Sequence, residues 1–288
     1  MLQNNSDRSL VFYLVLFSFV GAFMTSAVIV AISALMPNHA ESSWSLRITI
    51  LLQDLLVLFL PSYCVFKFST KRPMYMLGFK QSEKLNSQLW HTLIIYLVAL
   101  PAASVMAKWN DGVVFPTALS GLEAKFRAME ESARSVTDTF LAGEGIGDLF
   151  INIAIVGVAA AVVEEVFFRG GLQQLLVKWF GNGHVAVWVT AFVFSAIHLQ
   201  FYGFIPRLFM GAILGYLFYY SRNLWVPIFY HLVNNATVVI MNFFWGDTQF
   251  VKNFEDSALY WYSWVGLVVS LFVTYVMFQR FAKVAKHE

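Results

Sequence analysis

Residues 148–170 read DLFINIAIVGVAAAVVEEVFFRG. The stretch is long and apolar enough for a membrane-spanning helix, which needs about 20 residues, yet it carries Glu164, Glu165 and Arg169. An ionisable side chain at membrane depth costs roughly 2.5–3.5 kcal/mol on insertion scales unless it is paired or hydrated. Two adjacent carboxylates and an arginine therefore mark a site. Working outward, eight apolar runs have spanning character: 10–36, 47–66, 88–107, 148–170, 184–200, 204–220, 224–245 and 259–281. The expected fold is all-α, a polytopic transmembrane bundle of about eight spanning helices, with one amphipathic helix between the third and fourth. It divides into N-terminal helices with the amphipathic segment (1–147), a helical core that carries the charged site (148–245), and a last helix with a basic tail (246–288).

Composition agrees. The 288 residues are 59% hydrophobic and 12% charged, against about a quarter charged in soluble domains, and mean hydropathy is +0.65. Phe, Trp and Tyr make up 17%, suiting a lipid-facing bundle with interfacial belts. A net charge of +2 is too small for a nucleic-acid partner. The single Cys64 excludes an internal disulfide and a multi-cysteine metal site. The N-terminus lacks the charged region and cleavage site of a secretory signal, so the first apolar run is read as a retained helix. Lys67, Lys71, Arg72, Lys80 and Lys84 in one loop, Lys178 and Arg222 in two turns, and Arg280, Lys283 and Lys286 in the tail fall on one side if eight helices span. That side is expected to be cytoplasmic, with both termini on it, in a bacterial plasma (inner) membrane. The segment 108–147 and the loop 246–258 fall opposite.

From Leu119 to Leu141, Leu122, Phe126, Met129, Ala133, Val136 and Phe140 recur at helical spacing between charged residues. This amphipathic helix either lies on the membrane surface and caps the bundle, or packs on neighbouring helices.

Arg169 follows Glu165 by four residues, the favourable order for an intrahelical pair. That assigns Glu165 and Arg169 to a neutralising pair and leaves Glu164 facing the interior as a general base. The alternative is a purely structural knot of all three. The breaker Gly181-Asn182-Gly183 folds the next run back as a hairpin. Glu164 and His198 then match in depth to within about 3 Å at helical rise. His231 and Asn235, four apart, share one helix face, and Asn234 competes with Asn235 for its role. Alone, such residues serve as hydrogen-bonding glue between membrane helices. Together they suit peptide hydrolysis: Glu164 with His198 to deprotonate water, His231 and Asn235 to stabilise the oxyanion. A metal version is equally open, with Glu164, His198 and His231 as ligands of a Zn2+ ion that keeps one open position. The HExxH pattern is absent.

Three motifs stand in order: EExxxR at Glu164–Arg169, FxxxH at Phe194–His198 and HxxxN at His231–Asn235. Over about residues 148–245 the chain resembles the CPBP intramembrane protease family, also called the type II CAAX prenyl endopeptidase or Abi family. The resemblance implies an integral membrane endopeptidase acting on a membrane-associated or lipidated protein or peptide. Carried over by motif, Glu164 activates water and His198 assists it or binds metal. His231 and Asn235 complete the site, and Glu165 and Arg169 support it. Family members are generally labelled metalloproteases, and a metal-free glutamate mechanism is also argued. The alternatives are a catalytically silent membrane scaffold or immunity protein, and a proton-coupled transporter, against which the absence of repeat symmetry speaks. Gly211 and Gly215 read as close helix packing, and Asp54 as a buried polar contact to a neighbouring helix.

Overall fold

The computed structural model describes residues 7–35, 43–143, 145–246 and 260–285. Among them the chain forms ten helices: α1 (Asp7–Leu35), α2 (Ser43–Ser69), α3 (Pro73–Leu77), α4 (Leu85–Asp111), α5 (Ser120–Leu141), α6 (Ile146–Phe180), α7 (Gly183–Ala196), α8 (Phe204–Ser221), α9 (Trp225–Trp245) and α10 (Trp261–Ala285). Seven of them, α1, α2, α4, α6, α8, α9 and α10, are long and apolar enough to cross a membrane. Their outer faces carry bare apolar side chains, such as Phe19 and Phe23 on α1 and Val268 and Phe272 on α10. Exposed apolar surface on this scale is a lipid-facing surface, and the protein is an integral membrane helix bundle. The loop 247–259 and Lys286 lie outside the described residues.

The run expected to span over 184–200 is shorter than that. Helix α7 has 14 residues, about 21 Å at helical rise, against a hydrocarbon core of about 30 Å. The helix ends at Ala196, a turn over Ile197 and His198 follows, Leu199 takes a left-handed φ of 56°, and a 3-10 turn over Phe201–Gly203 leads into α8. A β-carbon makes that conformation costly, so strain sits directly beside a candidate site histidine. Helix α6 goes the other way, running 35 residues to Phe180. The α6–α7 hairpin turns on Gly181, whose φ of 66° favours glycine. Asn182 Oδ1 then accepts from the backbone N–H of His184 (2.9 Å) and Val185 (3.2 Å), capping α7.

Helix α6 is central, packed against α1, α2, α3, α7, α8 and α9. Leu14, Val65, Phe168, Leu175, Phe194 and Phe218 meet there in one buried cluster. Two stretches of α6, Ile153–Ala159 and Val166–Gln173, are wound as π-helix, as is Asp54–Phe59 in α2. Such wider turns gather at functional sites, and all three border the residues described below. Gly211 and Gly215 do bring α8 against α7: a β-carbon at Gly215 would stand 2.8 Å from Val187 Cγ1. Gly215→Leu should therefore force the two helices apart at a cost of about 1–3 kcal/mol, read as a lowered midpoint of thermal unfolding in nanodiscs. An unshifted midpoint contradicts close packing there.

Helix α5 lies across the end of the bundle, tied down at both ends. At its start, Phe126 stacks on Phe201 (5.1 Å), the Arg127 guanidinium lies 4.4 Å from the Tyr202 ring, and Gln200 Nε2 donates to Glu130 Oε1 (3.2 Å). At its finish Phe140 is buried, 5.7 Å from the Arg47 guanidinium. Arg47 in turn donates to Asp148 (3.1 Å) and Asn152 (3.0 Å) on α6. Leu122, Met129 and Val136 stay exposed. The helix packs on its neighbours, one of its two expected roles, and it keeps an apolar stripe exposed.

The Phe115 N–H donates to Glu123 (2.9 Å), and Arg127 Nε donates to its other oxygen (2.9 Å). These hydrogen bonds, the backbone one first, hold the Glu123 carboxyl below the usual carboxylate range. A depressed pKa means that this anchor is intact at neutral pH and is lost as pH falls through the lowered value. The Phe115 amide should keep its hydrogen-exchange protection down to about pH 4.3, the ordinary value for glutamate, and lose it only below. Protection already gone at neutral pH contradicts the anchor.

Candidate active site

Arg169 Nη1 donates to Glu165 Oε1 at 2.8 Å, and both side chains are 0% exposed. The pair is sealed on every side: Arg169 Nη2 donates to the Gly211 carbonyl (3.0 Å), and its guanidinium lies 4.8 Å from the Phe194 ring. The expected neutralising pair is present, and it does more than neutralise. His231 Nδ1 donates to the same Glu165 oxygen at 2.9 Å. An ionised carboxylate only accepts, so this bond puts the proton on Nδ1 and turns Nε2 the other way. His231 Nε2 stands 3.9 Å from Glu164 Oε2, too far for a direct hydrogen bond but close enough for the two to share a water.

Glu164, unlike Glu165, is not sealed; its side chain is 19% exposed. Adjacent helical residues point about 100° apart, which puts one carboxylate into the knot and the other at its open edge. His198 Nδ1 donates to the Phe194 carbonyl at 2.7 Å. Its ring lies 5.3 Å from Phe194, and the His231 ring lies 6.0 Å from the same phenylalanine. Phe194 thus sits between the two imidazoles, and both histidines use Nδ1 on a fixed acceptor and present Nε2.

Asn235 Nδ2 donates to the Val156 carbonyl (2.9 Å), inside the first π-wound stretch of α6, and its Oδ1 accepts from Asn234 Nδ2 (3.2 Å). One of its two N–H donors therefore fastens α9 to α6. The structure brings Glu164, Glu165, Arg169 and His231 together directly. His198 joins them across Phe194, and Asn235 lies one helical turn beyond His231.

The donor types of Glu164, His198 and His231 suit zinc, and a metal-bound histidine usually donates its other N–H as these two do. Their spacing does not suit it: among the described residues no three His, Cys, Asp or Glu side chains come together as a group able to hold a metal ion.

Two further neighbours stand by Glu164, and of these only Asp54 was singled out from the sequence, as a buried polar contact. Arg207, inside an aromatic run at the start of α8, lies within electrostatic range of Glu164 and His198. Asp54 faces Glu164 from the π-wound turn of α2, its Oδ2 buried with no hydrogen-bond partner.

Neither the curated proteins nor the solved structures contain a match to this chain. A family match is found over residues 146–237, under the description "Type II CAAX prenyl endopeptidase Rce1-like". It spans α6 to the middle of α9 and contains all three motifs. Residues 146–237, about a third of the chain, are thus similar to the type II CAAX prenyl endopeptidase Rce1-like family.

Proposed function

We propose that the protein is an intramembrane endopeptidase that hydrolyses a peptide bond in a membrane-associated or lipidated protein or peptide, with Glu164 as the base that activates water. The observation that carries this reading is the division of labour between neighbours. Glu165 is consumed by Arg169 and His231, whereas Glu164 is left open beside an imidazole nitrogen. A carboxylate so placed takes a proton from water as the oxygen attacks the scissile carbonyl carbon. It then returns that proton to the leaving amide nitrogen as the C–N bond breaks, giving a carboxylate and an amine.

His231, held by Glu165, orients the water. His198 Nε2 accepts from it or, when protonated, donates to the oxyanion. Asn235 has one N–H left for the same oxyanion. A groove of about 550 Å³ lies between α5 and His198, lined by Met129, Ser132 and Val136 on one side and His198 and Leu199 on the other. It offers an extended segment a way to the histidine from the surface on which α5 lies. With α7 counted as a short eighth pass between α6 and α8, the basic loops favour a cytoplasmic location for both termini, and we place the chain in a bacterial plasma membrane.

The test is proteolysis by the purified chain in nanodiscs, wild type beside Glu164→Ala, on a quenched farnesylated peptide and on a membrane proteome searched for new C-termini. Zinc is measured in the same samples. Cleavage lost in the variant without bound metal supports the glutamate mechanism. The same loss with stoichiometric zinc makes the chain a metalloprotease. No cleavage of any substrate, with normal folding and retained partner binding, overturns the enzyme reading in favour of a scaffold.

A further inference from the structure

Helix α8 packs against both α7 and α10. Over it, between those two helices, runs a groove of about 350 Å³, within the size range of small-molecule sites. Phe209 and Tyr220, both in its floor, lie about 16 Å apart along α8 at helical rise. That is close to half of a hydrocarbon core of about 30 Å, the depth of one acyl chain in one leaflet. Ile213, Leu271 and Phe278 make the wall mainly apolar, with the hydroxyls of Thr274 and Tyr275 among them. Trp188 on one edge and Tyr275 on the other are exposed, so the groove opens toward lipid.

An apolar groove facing a bilayer fills with some acyl chain, and its mouth decides which lipid that chain belongs to. His184 and Tyr220 also line a second cavity, of about 340 Å³, with Tyr219 and Arg222. Arg222 is exposed, its guanidinium lies 5.3 Å from the Tyr219 ring, and it forms no ion pair among the described residues. The His184 ring lies 5.6 Å from the rings of Tyr216 and Tyr219, and Tyr216 Oη stands 3.1 Å from His184 Nδ1. With the hydroxyl donating, the imidazole proton sits on Nε2, a donor left for an anion. Gly183 lies against the Tyr219 ring and Tyr216 meets Phe278. The α6–α7 turn and the ends of α8 and α10 therefore share one end of the bundle, where Lys178, Arg280 and Lys283 are also exposed. Among the described residues that line the groove and its mouth, none is acidic.

We propose that this groove binds an anionic phospholipid, with one acyl chain along α8 and the phosphate held at the mouth by Arg222 and His184. The planar fork of an arginine suits a phosphate, and aromatic rings with a polar edge suit the headgroup level. The lipid joins the short α7 to α10 across α8. The inference stands apart from the endopeptidase reading, since neither Arg222 nor His184 belongs to that site.

The test is native mass spectrometry of the delipidated protein in detergent, titrated with dioleoylphosphatidylglycerol and, separately, with dioleoylphosphatidylcholine. Wild type should bind its first phosphatidylglycerol roughly five- to tenfold more tightly than phosphatidylcholine, the worth of one basic side chain and one hydrogen bond at an anionic headgroup. Arg222→Asn should bring the two lipids close to equal; asparagine tolerates the left-handed φ of 52° at that position. Where Arg222→Asn does not fold, Arg222→Gly, for which that φ carries no strain, decides. Lys178→Gln removes a charge from the same end of the bundle but outside the groove, and should leave the preference as in wild type.

Equal affinity for the two lipids in wild type, or a preference unchanged in Arg222→Asn, overturns the proposal. A preference lost equally in Lys178→Gln also overturns it, because the attraction then belongs to the whole basic end. Glycerol phosphate keeps the anion and lacks the chains, so it should not displace the lipid. Displacement by glycerol phosphate at equal concentration would assign the mouth to a soluble phosphate, and displacement by farnesol would assign the groove to an isoprenoid. A dimer in place of the lipid adduct would assign it to a second copy of the chain. Each of these three results contradicts the phospholipid site.

Discussion

Glu164→Gln should lower the rate of peptide cleavage about 10²–10⁴-fold, the range for removing a general base, and leave the unfolding midpoint near that of wild type. The substitution keeps size and hydrogen bonding but cannot take a proton. Its small structural effect follows from what Glu164 does not do: the buried pair and the histidine anchor both belong to Glu165. The loss should fall in kcat rather than KM, because Glu164 acts on the water and not on substrate recognition. A variant that cleaves as wild type does removes Glu164 from the chemistry. One that fails to fold assigns it to the knot.

Arg169→Leu should have the largest effect on stability, about 3–5 kcal/mol, the cost of breaking a buried ion pair by removing one partner. Glu165 would be left fully enclosed with only His231 Nδ1 as donor, and the Gly211 carbonyl would lose the hydrogen bond that registers α6 against α8. The double variant Glu165→Gln/Arg169→Leu should recover part of that loss, since no buried charge is stranded. Thermal unfolding in nanodiscs measures both. A single variant as stable as wild type, or a double variant worse than the sum of the singles, contradicts the neutralising role. Activity should fall in either variant even where the fold survives, because His231 loses its fixed orientation.

The residues that pair locally were readable in advance. Glu165 and Arg169 stand four apart on one helix, and that spacing is itself the geometry of the bond. The turn at Gly181-Asn182-Gly183 follows from a left-handed glycine and a capping asparagine, so the hairpin between α6 and α7 was also foreseeable. The bond from His231 to Glu165 was not, since it joins side chains 66 positions apart. Sequence spacing could place both near one depth but could not choose between the two glutamates.

Other features had no local signal. Helix α7 ends at Ala196, and three residues on the exposed Leu199 takes a conformation that leucine does not favour. The surrounding residues are as apolar as any spanning helix. The π-wound stretches leave no side-chain period of their own, yet one of them supplies the Val156 carbonyl that occupies one donor of Asn235, a residue expected to serve the oxyanion. Arg207 was hidden in Phe204–Phe209, a run whose aromatic content reads as membrane helix.

The claim that Glu164 activates a water molecule is tested most directly by one turnover in H2(18)O, with enzyme in excess over a farnesylated quenched peptide, followed by mass spectrometry of the N-terminal product. Direct attack by activated water predicts one (18)O atom in the newly formed carboxylate from the first turnover. A first-turnover product whose new carboxylate is unlabelled would mean that its oxygen came from the protein, and would contradict the account.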